Sequence, residues 1–410
     1  MSLVRTSKGL LIFLILLLLL ASASPLQASS GPEIVGEAAV VIDIKNGQVL
    51  FEKNPDRRVY PASTTKIMTA VIALENGRLD AAVAVPGEAC NIEGSSIGLQ
   101  EGEKISLEDL LYALMLNSGN DTAVAIACHV GGSVEAFVSM MNKKAAELGA
   151  VNTHFNNPNG LPDPGHYSTA YDMALISRYA MQNPEFRKIV STRVKTIRRS
   201  VPDAQVYLEN HNRLLWLYEG ATGVKTGYTV EAGQCLVSSA ARQGRELLAV
   251  VMKSEGSNIW SDSTSLMDYC FKEFRPVCLV EAGAFVADVP VKFGEPAAVA
   301  VQTGSSFTYN FPADKPLEIK KEVLLEKEFC APVRAGEKLG EMAFYDGERE
   351  LGRVDLVAQQ EVRRKFLARW WPWLLLSGML LVLVAIIRRH RNERRRRWLR
   401  YTRRRKYYYL

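Results

Sequence analysis

The chain has 410 residues, 48% hydrophobic and 23% charged; these are values of a globular protein of two or three domains and exclude wholesale disorder and low-complexity classes. Its net charge of +6 is uneven: Arg388 to Leu410 carries eleven Arg, one Lys and one Glu, Arg5 and Lys8 add two positive charges, Glu361 to Arg369 adds three, and the remaining body is net −10. An acidic body with a basic tail gives no support to a nucleic-acid-binding fold, and no nucleic acid is expected as a partner.

Arg5 and Lys8 precede an unbroken apolar run, Leu10 to Leu20, followed by Ala21-Ser22-Ala23. This pattern predicts a signal peptide over residues 1–28, cleaved after Ala23 or Ala28. A mixed domain over 33–275 follows. Ala39 to Ile44 and Gly47 to Phe51 predict a hairpin, and Lys66 to Glu75 a helix ended by Asn76-Gly77. Leu107 to Leu116 and Thr122 to His129 predict two helices separated by the polar stretch Asn117 to Asp121, and Val134 to Leu148 a further one. Gln234 to Ala241, Arg242-Gln243-Gly244-Arg245 and Glu246 to Met252 read as strand, turn, strand, with a closing helix over Asp262 to Phe274. The fold class is α+β, an antiparallel sheet with helices.

From 276 to 360 short alternating runs lie between Gly, Pro and Asp turns, and Asp346-Gly347 is a hairpin dipeptide, so a small all-β domain is expected. Trp370 to Ile387 is free of charge, and at 1.5 Å per residue it extends ~27 Å, close to the hydrocarbon thickness of a bilayer. Trp370, Trp371 and Trp373 mark one edge and Arg388-Arg389 the other. The reading is a C-terminal transmembrane helix, 370–387, with a basic tail, 388–410, in the cytoplasm and the body outside. The tail acts as a topology determinant, with anionic lipid as its alternative ligand. The six cysteines show no CxxC framework and are expected to be free, buried thiols. The five histidines show no metal spacing, so no metal and no cofactor are expected.

Three short motifs carry chemistry. In Ser63-Thr64-Thr65-Lys66 a helix starting at the serine brings Lys66 Nζ within reach of Ser63 Oγ, and a lysine of lowered pKa can activate a serine nucleophile. Ser118-Gly119-Asn120 offers a second hydroxyl and an amide. Lys225-Thr226-Gly227, followed by Tyr228, offers a cation and hydroxyl for a carboxylate, and a residue without Cβ where a substrate backbone can approach. Singly, each is also an ordinary cap, turn or strand end. Together, in this order and each present once, they form the SxxK, SxN and KTG set of penicillin-binding proteins and class A β-lactamases.

On these motifs, and on Tyr60 to Thr69, Asn157 to Leu161, His166 to Ala170 and Gly223 to Thr229, the chain resembles the serine-type D-alanyl-D-alanine carboxypeptidases, the low-molecular-mass penicillin-binding proteins. The resemblance spans Glu37 to Phe274 and, more weakly, the β domain. It implies a penicillin-binding, β-lactamase-like transpeptidase domain in which Ser63 is the acylated nucleophile and Lys66 its base. It further implies that Ser118 and Asn120 relay the proton and hold the substrate amide, that Lys225 supports the relay, and that Thr226 binds the terminal carboxylate. Backbone N–H groups of Ser63 and Tyr228 would form the oxyanion hole. The implied partners are the peptidoglycan stem peptide, β-lactam antibiotics as acylating inhibitors, and the membrane. A β-lactamase of class A needs a glutamate between the second and third motifs, and Asn156 to Ser168 holds none. A DD-endopeptidase acting on cross-links and a catalytically silent wall-binding protein remain the alternatives. Some relatives carry an arginine after the strand that follows KTG; Ser257 to Trp260 holds none.

Overall fold

The computed structural model describes residues 31–314, 316–325, 328–366 and 370–406, with side chains as far as Arg400. The expected signal peptide, 1–28, lies outside them. Two compact units emerge, one to Pro276 together with Asn310–Asp314, the other over Val277–Tyr309 and from Lys315 onward.

The first unit is built on a five-stranded antiparallel sheet: β1 Ala38–Asp43, β2 Val49–Lys53, β3 Ala221–Thr229, β4 Gly233–Arg242 and β5 Arg245–Ser254, in the order β2-β1-β5-β4-β3. β1 and β5 read as near-continuous apolar runs because both faces of the sheet are covered. Ala38, Val40 and Ile42 enter one core with Leu248, Val250 and Met252, while Ala39 and Val41 enter the other with Leu247, Ala249 and Val251. This is the period-two alternation of a strand, here buried on both sides.

The larger core lies under α1 Lys66–Asn76, α2 Leu107–Leu116, α3 Asn120–Gly131, α4 Val134–Glu147, α5 Ala170–Ala180 and α6 Pro184–Ser191. α7, Asn258–Glu273, covers the opposite face. α1 is apolar around most of its circumference and buried from Lys66 through Ala73, as befits a central helix. Local signals set the boundaries. Ser106, Ser133, Thr169 and Asn183 each accept a backbone N–H at a helix start, and Pro184 occupies the first turn of α6. Two boundaries differ from expectation: α3 already begins at Asn120, since Asp121 in its first turn suits the helix N-terminus, and α7 begins at Asn258.

The second unit contains a six-stranded sheet of β6 Phe285–Lys292, β7 Ala298–Thr303, β8 Ile319–Leu325, β9 Phe329–Cys330, β10 Lys338–Asp346 and β11 Arg349–Ala358, in the order β8-β10-β11-β7-β6-β9. β10 and β11 form the hairpin at Asp346-Gly347. α8, Trp370–Lys406, runs unbroken through the apolar segment and into the basic one. It is long and apolar enough to cross a membrane, and only 6% of its apolar window is buried. All six cysteines are free, but only Cys235 and Cys270 are buried; Cys278, in the strand Phe274–Val280, and Cys330, in β9, are exposed.

Phe137 of α4 is fully buried where α4 turns back on α3. Phe137→Ala is expected to destabilise the first unit by about 3–5 kcal/mol, measured as a fall in its thermal unfolding midpoint.

Candidate active site

Ser63 lies in a short 3₁₀ turn, Ala62–Thr65, that runs directly into α1. In such a turn residues i and i+3 eclipse. Lys66 therefore stands over Ser63, and its Nζ donates to Ser63 Oγ at 2.8 Å. The reach expected from an α-helix starting at Ser63 is achieved by the tighter turn.

Lys66 is fully buried and has two further acceptors, Asn120 Oδ1 at 2.6 Å and the Asn159 carbonyl at 2.7 Å. Asn120 is fixed at its other end: Nδ2 donates to the Glu93 carbonyl at 2.6 Å, and its backbone N–H to the Ser95 carbonyl at 2.7 Å. These partners define the orientation of the amide. Asn159 sits in a loop braced by its own side chains, with the Gly160 N–H on Asn157 Oδ1 at 2.7 Å and the Leu161 N–H on Asn159 Oδ1 at 3.1 Å. Thr69 Oγ1 of α1 holds the Pro158 carbonyl at 2.5 Å. Gly160 has a φ of +87°, and a Cβ there would lie 1.9 Å from the Ala62 carbonyl oxygen, so glycine is required.

Lys225, Thr226, Gly227 and Tyr228 lie on β3, an edge strand whose sheet partner is β4 alone. Gly227 is expected from the sequence to admit a substrate backbone. In the fold the close neighbour is the Ser63 turn: a Cβ at Gly227 would lie 2.9 Å from Ser63 N and 3.1 Å from Ala62 Cβ. The absence of a side chain thus lets β3 lie against the Ser63 turn. Ser118, Lys225 and Thr226 have no side-chain hydrogen bond within the described residues, and Tyr228 is exposed. Ala62 (φ +47°) and Ser118 (φ +62°) both adopt the left-handed region without being glycine, a conformation that costs ~1–3 kcal/mol per residue and clusters at functional sites.

The electrostatics follow from burial. Lys66 is pushed well below the ordinary lysine range, first by loss of hydration and then by the charge of Lys225, with Asp121 opposing. Burial lowers Lys225 to about 7. Burial thus favours the neutral amine of Lys66. As a neutral amine it keeps two N–H donors for Asn120 Oδ1 and the Asn159 carbonyl, and its lone pair is left facing Ser63 Oγ. His166 takes no part in this exchange. The Asn156 N–H donates to its Nδ1 at 3.1 Å, so Nε2 carries the proton that bonds Thr65 Oγ1 at 2.9 Å, and burial lowers the ring's pKa to about 4. Among the described residues no three His, Cys, Asp or Glu side chains converge as a metal site.

The three motifs, far apart in sequence, thus meet around one nitrogen and one strand edge. Sequence reasoning missed Asp121. Its Oδ2 accepts from Ser96 Oγ at 2.6 Å, the Ile97 N–H at 3.0 Å and the Leu99 N–H at 3.1 Å, and so ties the loop beside Asn120. The available signal was an acid directly after the SxN motif, in the first turn of a helix. The carbonyls of Glu93 and Asn159 carry no signal in side-chain identity.

Comparison with known proteins agrees with this geometry. The D-alanyl-D-alanine carboxypeptidase family model matches residues 26–256, and that of the penicillin-binding protein 5 C-terminal domain matches 274–364. D-alanyl-D-alanine carboxypeptidase DacF of Bacillus subtilis is 34% identical over 88% of this chain and 95% of its own. D-alanyl-D-alanine carboxypeptidase DacA of Haemophilus influenzae is 32% identical over 84% and 90%. Penicillin binding protein 5 from Haemophilus influenzae superposes with a TM-score of 0.71 at 30% identity, covering 82% of this chain and 99% of that one. A mutant of the Streptomyces K15 DD-transpeptidase gives 0.57 at 35% identity, covering 58% and 99%. The chain belongs to the D-alanyl-D-alanine carboxypeptidase family of low-molecular-mass penicillin-binding proteins.

The buried Lys225 makes stability pH-dependent. Below about 7 it is charged in both folded and unfolded chains, and the cost of burying the charge is fully present. Between there and the ordinary lysine value the unfolded chain binds more protons, so stability rises with pH. The unfolding midpoint of the wild type, relative to Lys225→Met, is expected to rise on going from about pH 6 to about pH 9; parallel profiles would contradict the assignment.

Proposed function

We propose that the chain is a penicillin-sensitive serine D-alanyl-D-alanine carboxypeptidase acting on peptidoglycan stem pentapeptides. The observation that carries this reading is Lys66, buried, stripped of water and 2.8 Å from Ser63 Oγ. Neutral Lys66 accepts the Ser63 proton as Oγ attacks the carbonyl of the penultimate D-Ala. Negative charge gathers on the carbonyl oxygen, where the N–H groups of Ser63 and Tyr228 meet it. Ser118 relays the proton from Lys66 to the leaving nitrogen, with Lys225 in support. The terminal D-Ala departs, and water then cleaves the ester on Ser63.

The free edge of β3 suits an extended peptide, which can add to the sheet there through backbone hydrogen bonds. Thr226 and Lys225 then meet the terminal carboxylate without help from an arginine at Ser257 to Trp260. A β-lactam offers a carboxylate and a reactive carbonyl in the same relation and acylates the same oxygen.

The catalytic domain occupies 33–275 and the small β domain 276–360. The apolar part of α8, 370–387, crosses the membrane once, with the body on the outer side and the tail, 388–410, inside; the tryptophans at one end and the arginines at the other support that orientation.

Release of D-Ala from a stem pentapeptide by the detergent-solubilised chain is the direct test. Ser63→Ala should lower that release at least about a thousandfold and abolish covalent labelling by penicillin; a labelled Ser63→Ala protein would refute the nucleophile. Thr226→Val should lower kcat/KM about tenfold, mainly through KM, as loss of one hydrogen bond to a charged group implies; unchanged kinetics would remove Thr226 from carboxylate binding.

A further inference from the structure

The loop from Glu93 to Leu99 supplies the carbonyls that hold Asn120, yet it has no regular structure of its own. It is gripped from two sides. On the inner side Asp121 accepts the N–H groups of Ile97 and Leu99. On the outer side Arg199, from the segment joining the short strands Val194–Thr196 and Tyr207–Glu209, donates through Nη1 to the Ile97 carbonyl at 2.6 Å and through Nη2 to the Gly98 carbonyl at 2.9 Å. The same guanidinium forms a two-point pair with Glu103, Nε to Oε1 at 2.6 Å and Nη2 to Oε2 at 2.7 Å. Arg199 is 1% and Glu103 0% exposed at the side chain, and no other ion pair among the described residues has both partners so buried.

A buried ion pair is poor evidence for stability, because well-packed apolar replacements are often neutral or stabilising. What such replacements cannot reproduce is the planar fork, which serves one carboxylate and the carbonyls of Ile97, Gly98 and Gln205. We propose that Arg199 and Glu103 are positioning residues for the catalytic base: the pair fixes the 93–99 loop, the loop fixes Asn120, and Asn120 fixes Lys66 Nζ against Ser63. Neither residue touches the reacting atoms. The proposal rests on the reading that Lys66 activates Ser63.

The test is the second-order rate of Ser63 acylation by a fluorescent penicillin, measured on the full-length chain in detergent across a pH series and normalised to folded protein. Arg199→Lys keeps the charge and loses the fork. The double variant Arg199→Met with Glu103→Leu keeps a buried, apolar contact and is expected to fold even if Arg199→Lys does not. Both should acylate at least about tenfold more slowly than wild type. Both should also need a higher pH to reach half of the plateau rate. A loosened loop admits water to Lys66 and so stabilises its charged form, while Lys225 and Asp121, the charged groups acting on it, are unchanged. A folded double variant with the wild-type rate and pH midpoint would overturn the proposal and reduce the pair to packing. If wild-type protein is not acylated at all, the reading of Ser63 and Lys66 fails first, and the pair's role with it.

Discussion

One lysine nitrogen without access to water organises this site. Burying an ammonium group is costly enough that the group prefers to lose its proton. Lys66 can therefore be a base only where its surroundings are dry and its remaining N–H groups are met by fixed acceptors. The 3₁₀ turn before α1, the start of α3 and the 157–161 loop each contribute one group around Nζ. The requirement explains features that look incidental one at a time: a glycine that alone fits against Ala62, a threonine of α1 spent on a loop carbonyl, and left-handed backbone at Ala62 and Ser118.

The sheet supplies the second half of the site by ending. β3 is an edge, and edges are usually blunted against unwanted pairing. Here the strand is kept extended and carries Lys225, Thr226 and Gly227 along the margin that faces Ser63. Gly227 sets the spacing between that margin and the nucleophile, since any Cβ would push the two segments apart. The rigid, doubly covered sheet behind β3 means that this spacing is inherited from the core of the domain rather than from a loop.

Much of this was legible in the sequence because motif and periodicity act locally. The β1–β2 hairpin, the helices after Lys66, Leu107 and Val134, and the β4–β5 pair follow from apolar pattern and turn residues. The three motifs follow from side-chain chemistry. What was not legible is of another kind. α5 and α6 are marked in the sequence only at their starts, by Thr169 and Asn183-Pro184, because each presents only a short apolar stripe. The acceptors on Lys66 and Asn120 at Asn159 and Glu93 are backbone carbonyls, which any residue provides. Arg199 and Glu103 are 96 positions apart, and a charged residue is ordinarily read as a solvated one. The thiols differ for a related reason: cysteine is ordinarily buried, whereas Cys278 and Cys330 are exposed.

Two buried lysines in one site act on each other through their charge. Burial disfavours the charged form of both, and Lys66 bears the charge of Lys225 in addition. The charge on Lys225 helps keep Lys66 neutral. On the proposed function, a carboxylate held at Thr226 and Lys225 would favour the charged form of Lys225. Binding of an anionic peptide terminus would then hold the proton on Lys225 and leave the base on Lys66 free. On this reading the second lysine does more than attract a carboxylate. It would couple occupancy of the carboxylate site to the protonation of the pair, which a neutral hydrogen-bonding residue at position 225 could not do.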